Sequence, residues 1–278
     1  MRRKSKWFNI ALLLGVVVLL SACRASAEPL SEASIGIWDY YILYNMSRFI
    51  IWLSNLFGGN YGIGIIIFTV IIRIVLLPLN KIQAKSQREM QELQPELKAI
   101  QEKYPNKDRE SMEKMQEEQQ ALMEERGVNQ FAGCLPLLIQ LPVMMALYQS
   151  ILRTEVLRAG DFLWVNLGQR DPYFILPIVA ALFAFASSYF MQLSNPVSNA
   201  QTKMMTYTMP VMILLVTINL PSAITLYLTI TNIFTVLQTF LFNNPYKIIR
   251  EREEKEAAEK ARKRELKRAL RRATGKKK

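Results

Sequence analysis

A single arginine, Arg73, interrupts the otherwise uncharged apolar run from Tyr61 to Leu79. A guanidinium donates hydrogen bonds only and keeps its charge at any physiological pH, so its available chemistry is to hold negative charge or carbonyl oxygen. The run is long enough to cross a bilayer, which takes about 20 residues. An arginine inside such a helix costs about 2.5–3.5 kcal/mol on insertion scales, a cost that turns it toward protein or water. Thr69 lies one turn earlier on the same helix face. Later apolar blocks offer uncharged polar groups: Gln140, then Ser187, Ser188 and Gln192, then Thr225, Thr229 and Asn232, whose spacing draws one stripe. Two readings stand side by side. These groups line a wet cavity around Arg73, or Arg73 snorkels to the headgroups while the hydroxyls and amides bond helices together.

The same inventory argues against catalysis. The chain has no histidine, and the apolar blocks contain no Asp, Glu or Lys. Ser187, Ser188 or Cys134 would therefore lack the base that a nucleophile needs, and an intramembrane protease is not expected. No glycine-rich phosphate loop is present, so no nucleotide hydrolysis is expected. Cys23 and Cys134 are far apart, in different settings, and suggest neither a disulfide framework nor a metal site. No cofactor is expected beyond covalent lipid. A small-anion channel or transporter is the competing function, although a lone ionisable residue and the absence of a repeated half argue against it.

These groups must be positioned by membrane helices. Half of the 278 residues are hydrophobic, yet mean hydropathy is only +0.10, so apolar residues and charges are segregated into blocks. Residues 1–22 read as an export signal: Arg2, Arg3, Lys4 and Lys6 precede a short apolar core from Ile10 to Leu20. Leu20-Ser21-Ala22-Cys23 resembles a bacterial lipoprotein cleavage site, with diacylglycerol and an N-acyl chain such as palmitate expected on Cys23. Within 23–60, Ile35 to Phe57 reads as an amphipathic interfacial helix, with Asp39, Asn45 and Arg48 on its polar side; an additional span is the alternative. The first span is 61–79. Further spans follow at 133–152, 173–192, 204–220 and 222–242, the last two separated by Pro221. Counting Lys and Arg, the segments that five spans place inside hold 25 and the outer ones five. This asymmetry puts the carboxyl end in the cytoplasm.

The expected fold is thus all-α: five transmembrane helices, a cytoplasmic helical hairpin over 80–129 and a basic tail over 243–278. The hairpin turns at Tyr104-Pro105-Asn106, with Pro95 expected to bend its first helix. A thin seam of Met90, Leu93, Leu97 and Ile100 faces Met112, Met115 and Leu122, and the hairpin serves either as a solvated spacer or as a docking arm. The tail suits anionic lipid headgroups or the phosphates of ribosomal RNA.

Several motifs in this order resemble the YidC family of membrane protein insertases: Thr69 and Arg73 followed by Leu77-Pro78-Leu79; Leu93-Gln94-Pro95; the run Gly133 to Pro142; Asp171-Pro172-Tyr173; and Leu226-Tyr227 with Thr231-Asn232. The lipoprotein-type start and the lack of a large extracytoplasmic domain are similar to the five-span form of Gram-positive bacteria. The resemblance implies a hydrophilic groove open to the cytoplasm and closed toward the outside. It implies Arg73 as the groove's central charge, with Thr69, Gln140, Gln192, Tyr227 and Asn232 as its lining. Leu228 stands where family members often carry a second tyrosine. The implied partners are nascent membrane proteins, the ribosome, the general secretion channel, the signal recognition machinery and anionic lipids.

Overall fold

A computed structural model of the chain describes residues 28–32, 34–106, 108–128, 135–196 and 200–273. The export signal, Cys23 and Cys134 lie outside the described residues. The described chain is helical apart from one two-stranded hairpin.

The amphipathic stretch forms a π-helical segment, Ile37–Tyr44, that runs directly into α1 (Asn45–Leu56). Much of the expected apolar face is exposed, including Ile35, Ile42, Phe49 and Leu56, while Leu43, Ser47, Ile50, Leu53 and Ser54 are buried in the bundle. The segment is apolar on two sides, and small residues let the second side approach. Ser54 turns its hydroxyl onto its own helix at the Ile50 carbonyl, 2.7 Å away. Across the contact stands Gly64, where a Cβ would collide with that hydroxyl. Gly58 and Gly59, both at positive φ, make the corner into α2 (Tyr61–Val75). The two helical stretches meet there at a bend of 115°.

Helix α2 ends at Val75 rather than continuing to Leu79, and α3 (Leu77–Lys103) begins at once, with Pro78 in its first turn. Proline lacks an N–H and is tolerated there because the first N–H groups of a helix are unpaired anyway. Arg73 is consequently in the last turn of α2. Helix α3 runs on through Pro95 and pairs with α4 (Arg109–Glu125). Their seam is narrow. Leu93, Leu97 and Met123 are buried, whereas Met112 is exposed. Ion pairs from Lys103 to Glu118 and from Arg126 to Glu96 bracket it.

Four more apolar helices follow: α5 (Leu135–Leu152), α6 (Ile175–Leu193), α7 (Ala200–Thr217) and α8 (Ser222–Phe242). Basic α9 (Pro245–Ala273) continues from α8. By length and composition α6 and the α8–α9 run can each cross a membrane, and α2 qualifies together with the helix before it. The apolar stretches Ile139–Leu152 and Thr206–Thr217, within α5 and α7, are shorter.

Helix α6 packs between α7 and α8, α8 packs on α2, and α2 on α1. Between α5 and α6 the chain makes one helical turn (Glu155–Arg158) and a small hairpin, β1 (Asp161–Phe162) paired antiparallel with β2 (Val165–Asn166). Phe162 lies against Gly62 at the start of α2, where a side chain would collide with its ring. The apolar core gathers at this end of the bundle: Ile65 and Phe68 from α2, Leu147 and Ile151 from α5, Leu157, Val165 and Leu167 from the connection, and Ala223, Ile224, Leu226 and Tyr227 from α8. Arg73 lies beyond it, toward the α3–α4 hairpin.

Candidate functional site

Three of the residues singled out from sequence meet at the edge of this core. Arg73 donates from Nη2 to Gln140 Oε1 at 3.1 Å, and Gln140 Nε2 donates to the Tyr227 hydroxyl at 2.8 Å. The polarity of this line follows from its first member. A guanidinium cannot accept, so the Gln140 oxygen must face it and the amide nitrogen must face the tyrosine oxygen. Helices α2, α5 and α8, remote in sequence, are thereby joined by a fixed chain of polar groups. Tyr227 is buried, with 2% of its surface exposed, while Arg73 and Gln140 are half-buried. No carboxylate pairs with Arg73 among the described residues. The bond to Gln140 occupies one of the five N–H groups a guanidinium carries.

The remaining candidates are placed differently. Thr69 is fully buried, and its hydroxyl donates to the Ile65 carbonyl of its own helix at 2.7 Å. Thr225 and Thr229 are buried between helices: Thr229 donates to Thr225 O at 2.8 Å and reaches Leu176 O at 3.3 Å. Asn232 Nδ2 donates to Ala180 O at 3.2 Å and so ties α8 to α6. For this stripe the structure favours helix-to-helix bonding over cavity lining. In an apolar surround such bonds satisfy backbone carbonyls that have spare lone pairs. Gln192 is half-buried in the last turn of α6.

A second polar region lies beyond Arg73 toward the hairpin; of its members the sequence pattern marks Gln238 alone, as a polar residue of the last span. Asn80 Nδ2, Gln83 Nε2 and Gln238 Nε2 are buried donors without a hydrogen-bond partner. Helix α3 runs beside the α8–α9 junction there: Asn243 Nδ2 donates to Ala84 O at 3.0 Å, and one turn on Arg88 pairs with Glu251 at 2.9 Å. Gln87 reaches Met191 Sδ, and the Arg252 guanidinium donates to the Ser194 carbonyl, so α6 joins the same junction. The hydrogen bond from Arg88 holds the Glu251 carboxyl below its ordinary range. At the core end, Arg153 binds both Asp39 oxygens, at 3.1 and 2.9 Å, and the Glu28 carbonyl at 2.8 Å. The Asp171 carboxylate accepts from Trp164 Nε1, Tyr173 N and Leu176 N. No spacing in the sequence could reveal Asp39–Arg153 or Arg88–Glu251, because their partners are separated by other helices.

Comparison with known proteins places the chain in a family. The family described as "60Kd inner membrane protein" matches residues 52–251. A membrane protein insertase YidC of Enterococcus faecalis is 51% identical over 269 residues, covering 97% of this chain and 96% of the relative. One from Pediococcus pentosaceus is 53% identical, with 89% of each chain covered. The membrane protein insertase MisCA of Bacillus subtilis is 42% identical, with 84% of this chain and 89% of the relative covered. Among solved structures, an active YidC insertase with its first transmembrane domain resolved superposes with a TM-score of 0.59 at 30% identity. That match covers 73% of this chain and 46% of the solved one, so this chain spans about half the length of that protein. By the extent of these matches, the chain belongs to the 60Kd inner membrane protein family, whose members named here are YidC-type membrane protein insertases.

Proposed function

We propose that this protein is a membrane protein insertase and folding chaperone that passes nascent hydrophobic segments from the cytoplasm into the bilayer, without nucleotide hydrolysis, through a polar groove centred on Arg73. The observation that carries the reading is the Arg73–Gln140–Tyr227 line, a cation bound only to neutral groups at the margin of an apolar core. A half-buried cation without a counter-ion suits a transient anionic or carbonyl-rich guest, because a resident carboxylate would compete with it. In this reading the core around Ile65, Phe68 and Tyr227 closes the groove toward the outside. The buried orphan donors of Asn80, Gln83 and Gln238 lie on its cytoplasmic side and would be uncovered, as hydrogen-bond donors to the backbone of an entering chain, when the helices around them part. The hydrophobic segment then moves sideways into lipid, driven by burial of its apolar surface.

The proposal keeps the topology read from the sequence: five spans, with an outer amino terminus held by lipid on Cys23 and a cytoplasmic carboxyl end. Helix α9, exposed and basic along most of its length, reaches for the ribosome or for anionic lipid, and the secretion channel and signal recognition machinery are further partners. The test is photo-crosslinking from Gln140, Gln192 and Asn232 to a stalled nascent membrane protein. Capture from Gln140 is the expected result, with weaker capture from Asn232, whose amide is engaged with α6. A small-anion transporter would instead show no crosslink from any of the three and would move anions in vesicles.

A further inference from the structure

The end of the bundle opposite the α3–α4 hairpin carries apolar side chains on backbone that disfavours them. The β1–β2 turn consists of Leu163 and Trp164, and Leu163 has φ 54°. A positive φ at this place in a two-residue hairpin loop ordinarily selects Gly, Asn or Asp. Phe174, at the entry to α6, has φ 57°. A bulky residue in this left-handed region costs on the order of 1 kcal/mol or more, because Cβ crowds the following carbonyl. Neither side chain recovers that cost by burial: Leu163 is 73% exposed and Phe174 47%, with Tyr173 beside it at 65%. The two turns form one surface, since Trp164 Nε1 bonds the Asp171 carboxylate at 3.0 Å and the same carboxylate caps α6 through Leu176 N.

We propose that this surface is an interfacial membrane anchor, with Leu163, Trp164, Tyr173 and Phe174 seated among the lipid headgroups and the first acyl carbons at that end of the bundle. Its occupant follows from continuity with α6. Phe174 leads without interruption into Ile175, Ile178 and Leu182, which are exposed along a helix long and apolar enough to cross a membrane. Tryptophan and tyrosine at such a boundary prefer the headgroup level, where the ring is apolar and its N–H or O–H stays hydrogen-bonded. Here the indole N–H already has its acceptor in Asp171, so Trp164 can enter without stranding a donor.

The experiment uses the full chain with Trp7, Trp38 and Trp52 changed to Phe, leaving Trp164 as its only tryptophan. It is reconstituted in phosphatidylcholine–phosphatidylglycerol vesicles whose acyl chains are brominated either near the headgroup or deep in the chain. The expected result is blue-shifted emission with at least twofold stronger quenching by the shallow bromines. A Leu163→Gly, Phe174→Gly double variant is expected to lose at least half of that quenching while its Tm in detergent holds or rises, since the left-handed strain is relieved. Water-like emission without quenching in this single-tryptophan chain, at a detergent Tm equal to that of the unsubstituted protein, would overturn the proposal. Undiminished quenching in the double variant would also overturn it. So would an unquenched Trp164 in vesicles combined with a crosslinker at position 163 that captures a second membrane protein in cells, because the surface would then serve a protein.

Discussion

At the residue scale the issue is what Arg73 contributes beyond its charge. Gln140 contacts one guanidinium nitrogen only, so the site does not use the two-pronged geometry that separates arginine from lysine. Arg73→Lys is therefore expected to retain more insertion than Arg73→Ala. Arg73→Ala should lower insertion of substrates with acidic outer segments about tenfold or more, the equivalent of losing a charged hydrogen bond of about 1.5–3 kcal/mol. Protease protection of a radiolabelled substrate at matched protein level measures this, and unchanged insertion by the alanine variant would remove Arg73 from the mechanism. The orphan amides call for a different outcome. Replacing a buried, unpartnered donor with an apolar group of similar shape is neutral or stabilising. Gln83→Met is therefore expected to hold or raise the midpoint of unfolding in detergent while slowing insertion. A variant with both stability and insertion lowered would mean that Gln83 is bonded in the working protein.

At the element scale, one ion pair fixes a segment that the helix pattern leaves loose. Arg153 is nearly buried and grips Asp39 with two nitrogens while also bonding Glu28, so it clamps the chain before α1 to the end of α5. Asp39→Ala would strand that guanidinium, at a cost of about 1.5–3 kcal/mol for a partly exposed charged contact. The expected readout is a lower unfolding midpoint and proteolytic cutting near residue 30, and an unchanged digestion pattern would show that the clamp is redundant. The expected apolar face of the π-helical segment and α1 was legible from spacing, since Ile42, Phe49 and Leu56 recur at helical intervals. The buried face was not. Leu43, Ser47, Ile50 and Ser54 acquire meaning only when Gly64 of α2 comes close enough to need small partners.

At the scale of the whole molecule, Arg88–Glu251 joins the hairpin to the basic tail helix, and its behaviour with pH follows from the sign of the shift. The carboxyl of Glu251 is depressed by the hydrogen bond from Arg88, so the folded contact favours the charged form. Its contribution is fully present above the ordinary glutamate pKa, about 4.3, and is lost as pH falls through the depressed value. Arg88 remains protonated throughout. Cysteine crosslinking between positions 92 and 255, which line one cleft at this junction, should hold constant around neutrality and fall in acid. Glu251→Gln should give weak crosslinking at every pH, and an unaltered acid transition in that variant would assign the titration to another group.

The amino-acid sequence by itself determined the apolar blocks, the helical hairpin, the basic tail and the anomaly of Arg73, because each rests on composition or on a period within a single stretch of chain. Gln140 was legible as a polar position in an apolar helix, whereas Tyr227 was marked only by the family motif that the resemblance supplied. Tertiary structure decided which polar groups meet. Thr225, Thr229 and Asn232 share a stripe that looks like a cavity wall, yet α6 and α7 pack closely enough to take their hydrogen bonds at Leu176, Thr217 and Ala180. Where a helix stops was likewise a three-dimensional outcome: the apolar run of 61–79 reads as one span, but Pro78 divides it and leaves Arg73 in a final turn. The physical reason is the same in both cases. A side chain's type and period are local properties, whereas a hydrogen bond or a counter-charge depends on which helix arrives opposite, and nothing within one helix encodes that.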